Sequence, residues 1–217
     1  MINTTRHQAY IEGIDMTAPI NIVGCGSLGT VAATTLARMG FSNINLYDDD
    51  TVEEHNIANQ YFEFADLGKR KVQALREKLL AINPDITGED RARRFEDTDR
   101  VQGHIFVLPD NMAARRTVLN ATEGQNTIVV DGRMGGLDGN VFLYRSGGRQ
   151  EYERSLFDDA KAAPVDCTAR TVIFTVGFVS SIAVSAYLTM LRNPQLNYTA
   201  YAAHTGAEVT TVLLAKE

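Results

Sequence analysis

A glycine-rich turn between a short apolar run and an alanine-rich segment constrains the fold of this chain more than any other feature. Ile20–Val23 is typical of a strand, and the turn Gly24-Cys25-Gly26-Ser27-Leu28-Gly29 follows it directly. Leu28–Met39 is rich in alanine and leucine and stops before Gly40, which predicts a helix with a glycine end. Ile44–Tyr47 has the pattern of a second strand. This order predicts a parallel βαβ unit with a right-handed crossover.

The alternation of strand and helix patterns continues to residue 131 and then changes. An amphipathic helix is predicted over Lys69–Ile82, and Arg145–Ala163 is polar and predicts a surface loop. The other predicted elements are a strand at His104–Leu108, a helix at Asn111–Ala121, strands at Thr127–Val130 and Asn140–Tyr144, and a closing hairpin at Tyr198–His204 and Glu208–Leu214. The pattern predicts an α/β fold, a Rossmann-like doubly wound mixed sheet with a parallel N-terminal part and antiparallel C-terminal strands.

The segment Thr171–Leu191 is apolar, uncharged and long enough to span a bilayer. Serine and threonine side chains along its length lower its hydropathy, which disfavours a membrane span. We therefore predict a helix that packs on the sheet or at a dimer interface, and no membrane association.

Composition excludes several classes of protein. The 217 residues carry a net charge of −6 and no basic run with interleaved aromatic residues, so nucleic-acid binding has no electrostatic support. Two cysteines, Cys25 and Cys167, cannot form a four-cysteine zinc site, and we predict no zinc. Residues 1–19 lack the apolar stretch of a signal peptide, and nothing indicates a disulfide framework. These features predict a cytoplasmic protein.

The glycine turn predicts a nucleotide site. Its glycines, Gly24, Gly26 and Gly29, permit close backbone approach to a phosphate, and the N–H groups near Ser27 and Leu28 open the following helix. A tight strand–helix turn without a ligand is the plainer alternative. The turn alone does not distinguish ATP from NAD, because Asp48 stands where a dinucleotide-binding domain keeps its ribose carboxylate.

The residues after the second strand resemble the ThiF/MoeB/HesA family of ubiquitin-like-protein-activating adenylyltransferases. Asp48-Asp49-Asp50-Thr51-Val52-Glu53-Glu54-His55-Asn56-Ile57-Ala58-Asn59-Gln60 is similar to the family motif D-x-D-x-V-x-x-x-N-x-x-R-Q, and Gly68-Lys69-Arg70-Lys71 is similar to G-x-x-K. Asp110-Asn111 with Arg115 matches D-N-x-x-x-R, and Asp166-Cys167 looks like the family's late cysteine. The resemblance extends from residue 20 to about residue 192.

The resemblance implies ATP and Mg²⁺ as cofactors and a role for each matching residue. Asp50 would hold the ribose hydroxyls, and Lys71 would contact the phosphates. Asn56 and Gln60 would donate neutral hydrogen bonds near the phosphates, and Asp110 would bind Mg²⁺. Taken alone, these residues have ordinary explanations, such as a solvated helix lysine or a helix N-cap at Asp110-Asn111.

Two positions depart from the family pattern or leave alternatives open. Asn59 replaces the arginine of the motif and is counted among the predicted nucleotide-binding residues. Arg6 and Arg115 are the two candidate substitutes for that arginine. Arg6 would act on the partner subunit's site, whereas Arg115 is more typical of a surface helix arginine. Cys167 is either a thiolate that accepts an acyl or persulfide group or a small buried residue, and Cys25 is predicted to be structural.

The resemblance also implies protein partners and an arrangement within one domain, residues 1–217. Residues 20–131 would form the nucleotide-binding half, and residues 132–217 the carrier-binding and dimerisation half of a homodimer. The substrate would be a small ubiquitin-like or sulfur-carrier protein with a Gly-Gly tail, or a peptide. Its tail would lie near Arg133-Met134-Gly135-Gly136. The alternatives are a nucleotide-binding scaffold without efficient turnover and an NAD-dependent oxidoreductase.

Overall fold

The computed structural model describes residues 2–158, 171–206 and 209–216, with residues 214–216 described by their backbone only. The strands are β1 (Ile20–Val23), β2 (Ile44–Tyr47), β3 (Asp90–Arg91), β4 (His104–Val107), β5 (Val129–Gly135), β6 (Asp138–Tyr144), β7 (Tyr198–Thr205) and β8 (Val209–Lys216). The α-helices are α1 (Gln8–Ile11), α2 (Ser27–Met39), α3 (Lys71–Ile82), α4 (Met112–Ala121), α5 (Arg149–Arg154) and α6 (Ile173–Arg192). Short 3₁₀ turns occupy Thr5–His7, Glu54–Asn56, Phe64–Asp66 and Ser146–Gly148.

The strands form one eight-stranded sheet in the order β3-β2-β1-β4-β5-β6-β7-β8. The pairs from β3 to β5 are parallel, and the pairs from β5 to β8 are antiparallel. The predicted Rossmann-like mixed sheet is therefore confirmed. The parallel pairing ends in register, because Tyr47, Val23, Val107 and Asp131 are paired across four neighbouring strands. Ligands bind outside such carboxyl ends in open α/β sheets.

Apolar residues cover the sheet on both sides. On one side, α2, α3 and α6 pack over β1, β2 and β4 in a core that includes Leu36, Leu75 and Tyr187. On the other side, Leu119 of α4 and Tyr152 of α5 pack against Val107, Tyr144 and their neighbours. Burial on both faces explains why β1 is buried throughout rather than alternating.

The structure corrects several sequence predictions. The two-residue strand β3 was not predicted, and the crossover from β3 to β4, all of which is described, contains no helix. Arg149–Arg154 is helical, although we predicted an irregular loop over Arg145–Ala163. The strand predicted at Thr127–Val130 is β5, which extends to Gly135 because it pairs with β6 through a two-residue turn. Antiparallel pairing added order where the local pattern showed none.

The apolar helix α6 packs against the sheet and against another helix. It passes the length and composition criteria for a membrane span, with a mean hydropathy of 1.7, and half of its most apolar window is buried. It packs on α2 and on β5, β6 and β7. A Cβ on Gly139 would lie 2.2 Å from Val179 Cγ2, so this glycine in β6 permits the close approach of the helix. The predicted packing of this helix on the sheet is confirmed.

Candidate functional site

The three glycines of the turn after β1 have different surroundings. Gly24 has φ +92°, and a Cβ there would lie 2.8 Å from the main chain of Leu108. A Cβ on Gly29 would lie 1.9 Å from the carbonyl oxygen of Gly24, so both positions are closed by the protein's own backbone. At Gly26 the nearest atom to a Cβ is Gln60 Nε2, 3.9 Å away. Gly26 therefore faces open space.

The N-terminus of α2 opens directly above this turn. Gly26 is the N-cap residue, and no described side chain caps the helix. The N–H groups of Ser27, Leu28 and Gly29 belong to the first helical turn, which has no intrahelical acceptors for them. Such N–H groups and the positive end of the helix dipole favour an anion. The backbone here suits a phosphate group.

Asp48 fixes the glycine turn to the end of β2. Its Oδ2 accepts the N–H of Cys25 at 2.7 Å, and its Oδ1 accepts the N–H of Asp50 at 2.9 Å. Burial raises the pKa of Asp48, although these hydrogen bonds and the charge of Lys71 partly oppose the increase. Because both oxygens accept backbone N–H groups, Asp48 fixes the loop, and each oxygen keeps a lone pair for a further donor. Cys25 is fully buried, which raises the pKa of its thiol.

Asp50 and Lys71 form an ion pair across the crossover connection. Lys71 Nζ lies 2.8 Å from Asp50 Oδ2, and the Lys71 N–H donates to the carbonyl oxygen of Asp50. The Asp50 side chain is 60% exposed, whereas that of Lys71 is 8% exposed. Lys71 is thus not the solvated helix lysine that its position alone would indicate. The Lys71 side chain is buried along its length, and its ammonium group faces the acidic end of β2.

Asn56, Asn59 and Gln60 lie on the 3₁₀ turn and loop that follow. Asn56 is buried, and its Oδ1 accepts the N–H of Glu53 in a reciprocal capping box. The buried oxygens Asn59 Oδ1 and Gln60 Oε1 accept no hydrogen bond from the described residues. Buried polar atoms are normally paired, so these two oxygens beside the glycine turn suit hydrogen-bond donors of a ligand, such as hydroxyl or amino groups. Asn56 stabilises the loop that presents them.

Asp110 lies on the turn between β4 and α4, beside the glycine turn. It is exposed, and its Oδ1 accepts a hydrogen bond from Asn111 Nδ2 at 3.0 Å. Asn111 is the N-cap of α4, with Oδ1 accepting from the N–H of Ala114. The contact of Gly24 with Leu108 and Pro109 brings this turn next to the open space at Gly26. A carboxylate at this position suits Mg²⁺ bound to phosphate oxygens.

We predicted Arg115 to be a surface arginine, and the structure corrects this, because Arg115 is buried. Its Nε lies 2.9 Å from Asp131 Oδ1, Nη1 donates to the carbonyl of Asn111, and Nη2 donates to those of Pro109 and Gly132. Both Arg115 and Asp131 are almost fully buried. Since each of its nitrogens is committed to the protein, Arg115 cannot substitute for the arginine that is missing at position 59.

Asp131 also binds residues of the second half of the chain. Its Oδ2 accepts hydrogen bonds from Arg133 Nε at 2.7 Å and from the Tyr152 hydroxyl at 2.9 Å. Arg133 also donates to the carbonyl and hydroxyl oxygens of Ser155. Arg133–Gly135 therefore belongs to β5, and Arg133 joins a buried polar cluster.

The remaining predicted site residues lie elsewhere. Arg6 is exposed on the Thr5–His7 turn, and Thr4 packs near Gly40 at the far end of α2. A helix of that length separates it from the glycine turn by about 20 Å, so Arg6 does not reach the site of its own chain. Cys167 and Asp166 lie outside the described residues.

One site residue was not predicted from the sequence. Arg94, four residues after the start of β3, lies 2.9 Å from Asp49 Oδ2, and its side chain is 83% exposed. The carboxylates of Asp48, Asp49 and Asp50 approach within 4.8 Å of one another. Arg94 and Lys71 partly balance this negative charge. Arg94 was missed because the two residues of β3 show no strand pattern. The sequence therefore did not place the segment that follows β3 beside the end of β2.

Comparison with known proteins gives one family and several relatives. A model described as "ThiF family" matches residues 16–214. The sulfur carrier protein ThiS adenylyltransferase of Escherichia coli is 30% identical in an alignment of 172 residues that covers 74% of this chain and 67% of the relative. The molybdopterin-synthase adenylyltransferase of Salmonella typhimurium is 32% identical in an alignment of 136 residues that covers 59% of this chain and 55% of the relative. The chain thus spans two thirds of the first relative and little more than half of the second.

Solved structures have the same fold at low sequence identity. The microcin C7 biosynthetic enzyme MccB, in complex with N-formylated MccA, gives a TM-score of 0.78 at 18% identity over 94% of this chain and 66% of that chain. PaaA gives a TM-score of 0.73 at 18% identity over 93% of this chain and 65% of that chain.

Proposed function

Because this chain belongs to the ThiF family, we propose that it uses ATP to adenylate the C-terminal carboxylate of a small carrier protein or a peptide. The observation that carries the proposal is the convergence of the glycine turn, the Asp50–Lys71 pair and Asp110 at one edge of the sheet. The relatives named above are adenylyltransferases of a sulfur carrier protein and of molybdopterin synthase, which supports the same class of reaction.

In the proposed reaction, an oxygen of the substrate carboxylate forms a bond to the α-phosphorus of ATP. The bond from this phosphorus to the bridging oxygen breaks, and its electron pair leaves with pyrophosphate. No proton has to be transferred, so catalysis depends on positioning and on stabilising negative charge. Lys71 would contact the phosphates, and Asp50 would accept the ribose hydroxyl groups. Asn59 and Gln60 would turn their amides toward the bound nucleotide.

The residues at this edge suit Mg²⁺ as well. Asp110 is exposed and keeps carboxylate acceptor capacity beside the open space at Gly26. Mg²⁺ would neutralise phosphate charge in the complex and make the pyrophosphate a better leaving group. Asp110 would hold it, and the N–H groups at the start of α2 would bind phosphate oxygens.

We further propose that the protein acts as a cytoplasmic homodimer in which Arg6 reaches the partner subunit's site. The position of Arg6 at the far end of α2 supports a role in the partner subunit rather than in its own chain. The expected partner is a small ubiquitin-like or sulfur-carrier protein with a Gly-Gly tail, or a peptide. A thiol role for Cys167 stays part of this proposal.

The proposal is tested by pyrophosphate exchange with ATP, Mg²⁺ and an added carrier or peptide. We expect Lys71→Ala to lower the exchange rate by about 10²–10³, because removal of one group that stabilises transition-state charge has an effect of this size. Lys69→Ala is the matched control, since Lys69 binds Asp66 and Glu77 away from the phosphates. Equal rates for Lys71→Ala and Lys69→Ala would contradict the assigned role of Lys71.

A second candidate is a nucleotide-binding scaffold that acts through a protein partner. Asn59 favours it, because a neutral amide replaces the cation of the family motif. This candidate predicts ATP binding without adenylate formation for any carrier or peptide. The NAD alternative leaves the motif from Asp48 through Lys71 unexplained. Calorimetric titration with ATP and with NAD distinguishes these alternatives.

A further inference from the structure

The candidate site contains one exposed arginine that no predicted role explains. The arginines at the carboxyl edge of the parallel strands include Arg70, Arg94 and Arg115. Arg115 is buried with all its nitrogens engaged. Arg70 Nη1 donates to the main-chain carbonyl of Asp49 at 2.7 Å, which anchors the start of α3. Arg94 is 83% exposed, and its guanidinium binds the side-chain carboxylate of Asp49 rather than a main-chain carbonyl.

The backbone around Arg94 is fixed although its side chain is open. Strand β3 is parallel to β2, with Tyr47 paired to Arg91, so the chain leaves β3 at the edge where β2 ends. Phe95 is buried, and its ring lies 5.1 Å from that of Tyr47. Arg93, on the other side, forms an ion pair with Asp99. Residue 94 is therefore held in place by both neighbours while its guanidinium points to the acidic end of β2.

The guanidinium of Arg94 lies within electrostatic reach of all the carboxylates that the proposed function assigns to ATP and Mg²⁺. Asp49 raises the pKa of Arg94 most, through a hydrogen bond and its charge, and the charges of Asp50 and Asp110 raise it further. Asp50 is the proposed ribose ligand, and Asp110 is the proposed Mg²⁺ ligand. Arg94 binds Asp49, whose carboxylate lies within 4.8 Å of that of Asp50, so its guanidinium lies next to the proposed nucleotide site.

The Arg94–Asp49 pair is of a kind that exchanges readily. Ion pairs between exposed side chains contribute little to stability, because water screens them and ordering the side chains costs entropy. A triphosphate offers more negative charge, and its oxygens accept the paired donors of a guanidinium. Transfer of Arg94 from Asp49 to the phosphates therefore costs little free energy and forms stronger hydrogen bonds.

We propose that Arg94 is a catalytic residue that contacts the triphosphate of ATP and replaces the motif arginine for which this chain has Asn59. The proposal rests on the proposed function of the site. Arg94 would donate N–H groups to phosphate oxygens while the carboxylate attacks and pyrophosphate departs, and it exchanges no proton. A cation supplied from the segment after β3 thus occupies the place of one normally supplied from the segment after β2.

Calorimetry on the full chain with Mg²⁺-ATP and with adenosine tests the contact directly. We expect Arg94→Ala to weaken ATP binding about tenfold or more and to leave adenosine binding unchanged, since only ATP carries phosphates. Arg94→Lys keeps the charge but not the planar donors, and it should retain part of the affinity. Arg100→Ala is the matched control, because Arg100 is an exposed arginine of the same segment that lines a cleft at the amino ends of the strands.

Rescue by the motif arginine tests the replacement. Asn59→Arg, combined with Arg94→Ala, should restore ATP affinity and pyrophosphate exchange to within about threefold of the wild type. The two arginines would bind the same phosphates, so the effects of the two substitutions are not additive. Circular dichroism establishes that the double variant is folded. If it is not, the affinities of Arg94→Ala and Arg94→Lys decide the question, because position 94 is exposed.

The outcomes separate this inference from the proposed function. ATP affinity of Arg94→Ala equal to that of Arg100→Ala would overturn the role of Arg94, even if the wild type catalyses exchange. A folded double variant without rescue would overturn the replacement of the motif arginine. A wild type that binds ATP but catalyses no exchange would contradict the adenylation proposal, while the binding data still test the Arg94 contact. A wild type that binds no ATP would overturn both.

Discussion

Two arginine–aspartate pairs lie on either side of the turn that carries Asp110, and they differ in their exposure to water. Arg115 and Asp131 are 4% and 0% exposed, and Arg115 also binds the main chain of the turn. Arg94 is 83% exposed, and its partner Asp49 is 44% exposed. Both pairs have the same separation of 2.9 Å. Their chemistry is the same, so their difference comes from what surrounds them.

The comparison shows how burial decides whether a cation supports the fold or remains available to a ligand. In a buried pair, removal of one partner leaves a charge without water or counter-ion, so the pair behaves as part of the structure. In an exposed pair, water replaces either partner at little cost. The first pair fixes the turn, and the second can release its arginine to a nucleotide.

The largest expected effect breaks the buried cluster. Asp131→Ala leaves Arg115 and Arg133 without their shared carboxylate, and we expect the free energy of unfolding to fall by about 3–5 kcal/mol. Asp49→Ala is the matched change in the exposed pair and should cost less than about 1 kcal/mol. Urea unfolding of both variants gives the two values. Similar losses would show that exposure does not distinguish the pairs.

A further buried polar group, at the amino end of β4, extends the comparison to pH. Burial lowers the pKa of His104 to about 4, and its Nδ1 accepts the N–H of Ile128 at 3.1 Å, which requires the neutral ring. The pKa is below the ordinary value of 6.5, so the unfolded chain binds a proton that the folded chain excludes between pH 6.5 and 4. Stability should therefore fall as the pH is lowered through this window, by about 3 kcal/mol.

The variant His104→Asn keeps an acceptor for Ile128 and removes this titration. Its stability relative to that of the wild type should rise as the pH falls from 6.5 to 4, because carboxylates common to both proteins cancel in the difference. Urea unfolding at several pH values measures it. A constant difference between the two proteins would show that folding does not lower the pKa of His104.

Two glycines of one turn repeat the contrast between closed and open surroundings. Gly29→Ala places a methyl group against the carbonyl of Gly24, and we expect a loss of about 1–3 kcal/mol of stability from overpacking. Gly26→Ala meets only the distant Gln60 amide, so stability should hold. Its methyl group would occupy the space for phosphate, and ATP affinity should fall about tenfold or more. Thermal unfolding and calorimetry together test the pair, and a stability loss at Gly26 would refute the assignment.

The smallest expected effect concerns an exposed pair between the start of β6 and the end of β7. His204 Nδ1 lies 2.7 Å from Asp138 Oδ1, and both side chains are largely exposed. Asp138→Asn should change stability by about 0.5 kcal/mol or less. A loss above about 2 kcal/mol in urea unfolding would mean that exposure alone does not set the strength of such pairs.

The sequence predicted the parallel half of the fold better than the antiparallel half. The glycine turn, α2 and β2 were predicted to within a residue because their patterns are local and strong. The strand β3 was missed since two residues carry no periodicity, and β5 was drawn too short because its last residues gain order from pairing with β6. The helix α5 was missed for a similar reason, since Tyr152 is buried by contacts far along the chain.

For the candidate site, the motif indicated which residues converge but not which cations stay available. Asp50 and Lys71 are 21 positions apart, and the family pattern brought them together before the structure did. Arg115 was assigned to the surface, although an aspartate at the end of a buried strand required a cation nearby. Its burial was therefore signalled by Asp131, a residue outside the motif.

By itself, the sequence determined the βαβ unit, the glycine turn and the set of polar groups at the carboxyl edge, because backbone preference and side-chain spacing act over a few residues. The tertiary structure alone decided that Arg115 is sealed against Asp131 and that Arg94 stands open beside Asp49. These pairs join residues 16 and 45 positions apart. Exclusion of water is a property of the packed elements around a charge, and no local pattern in the chain specifies it.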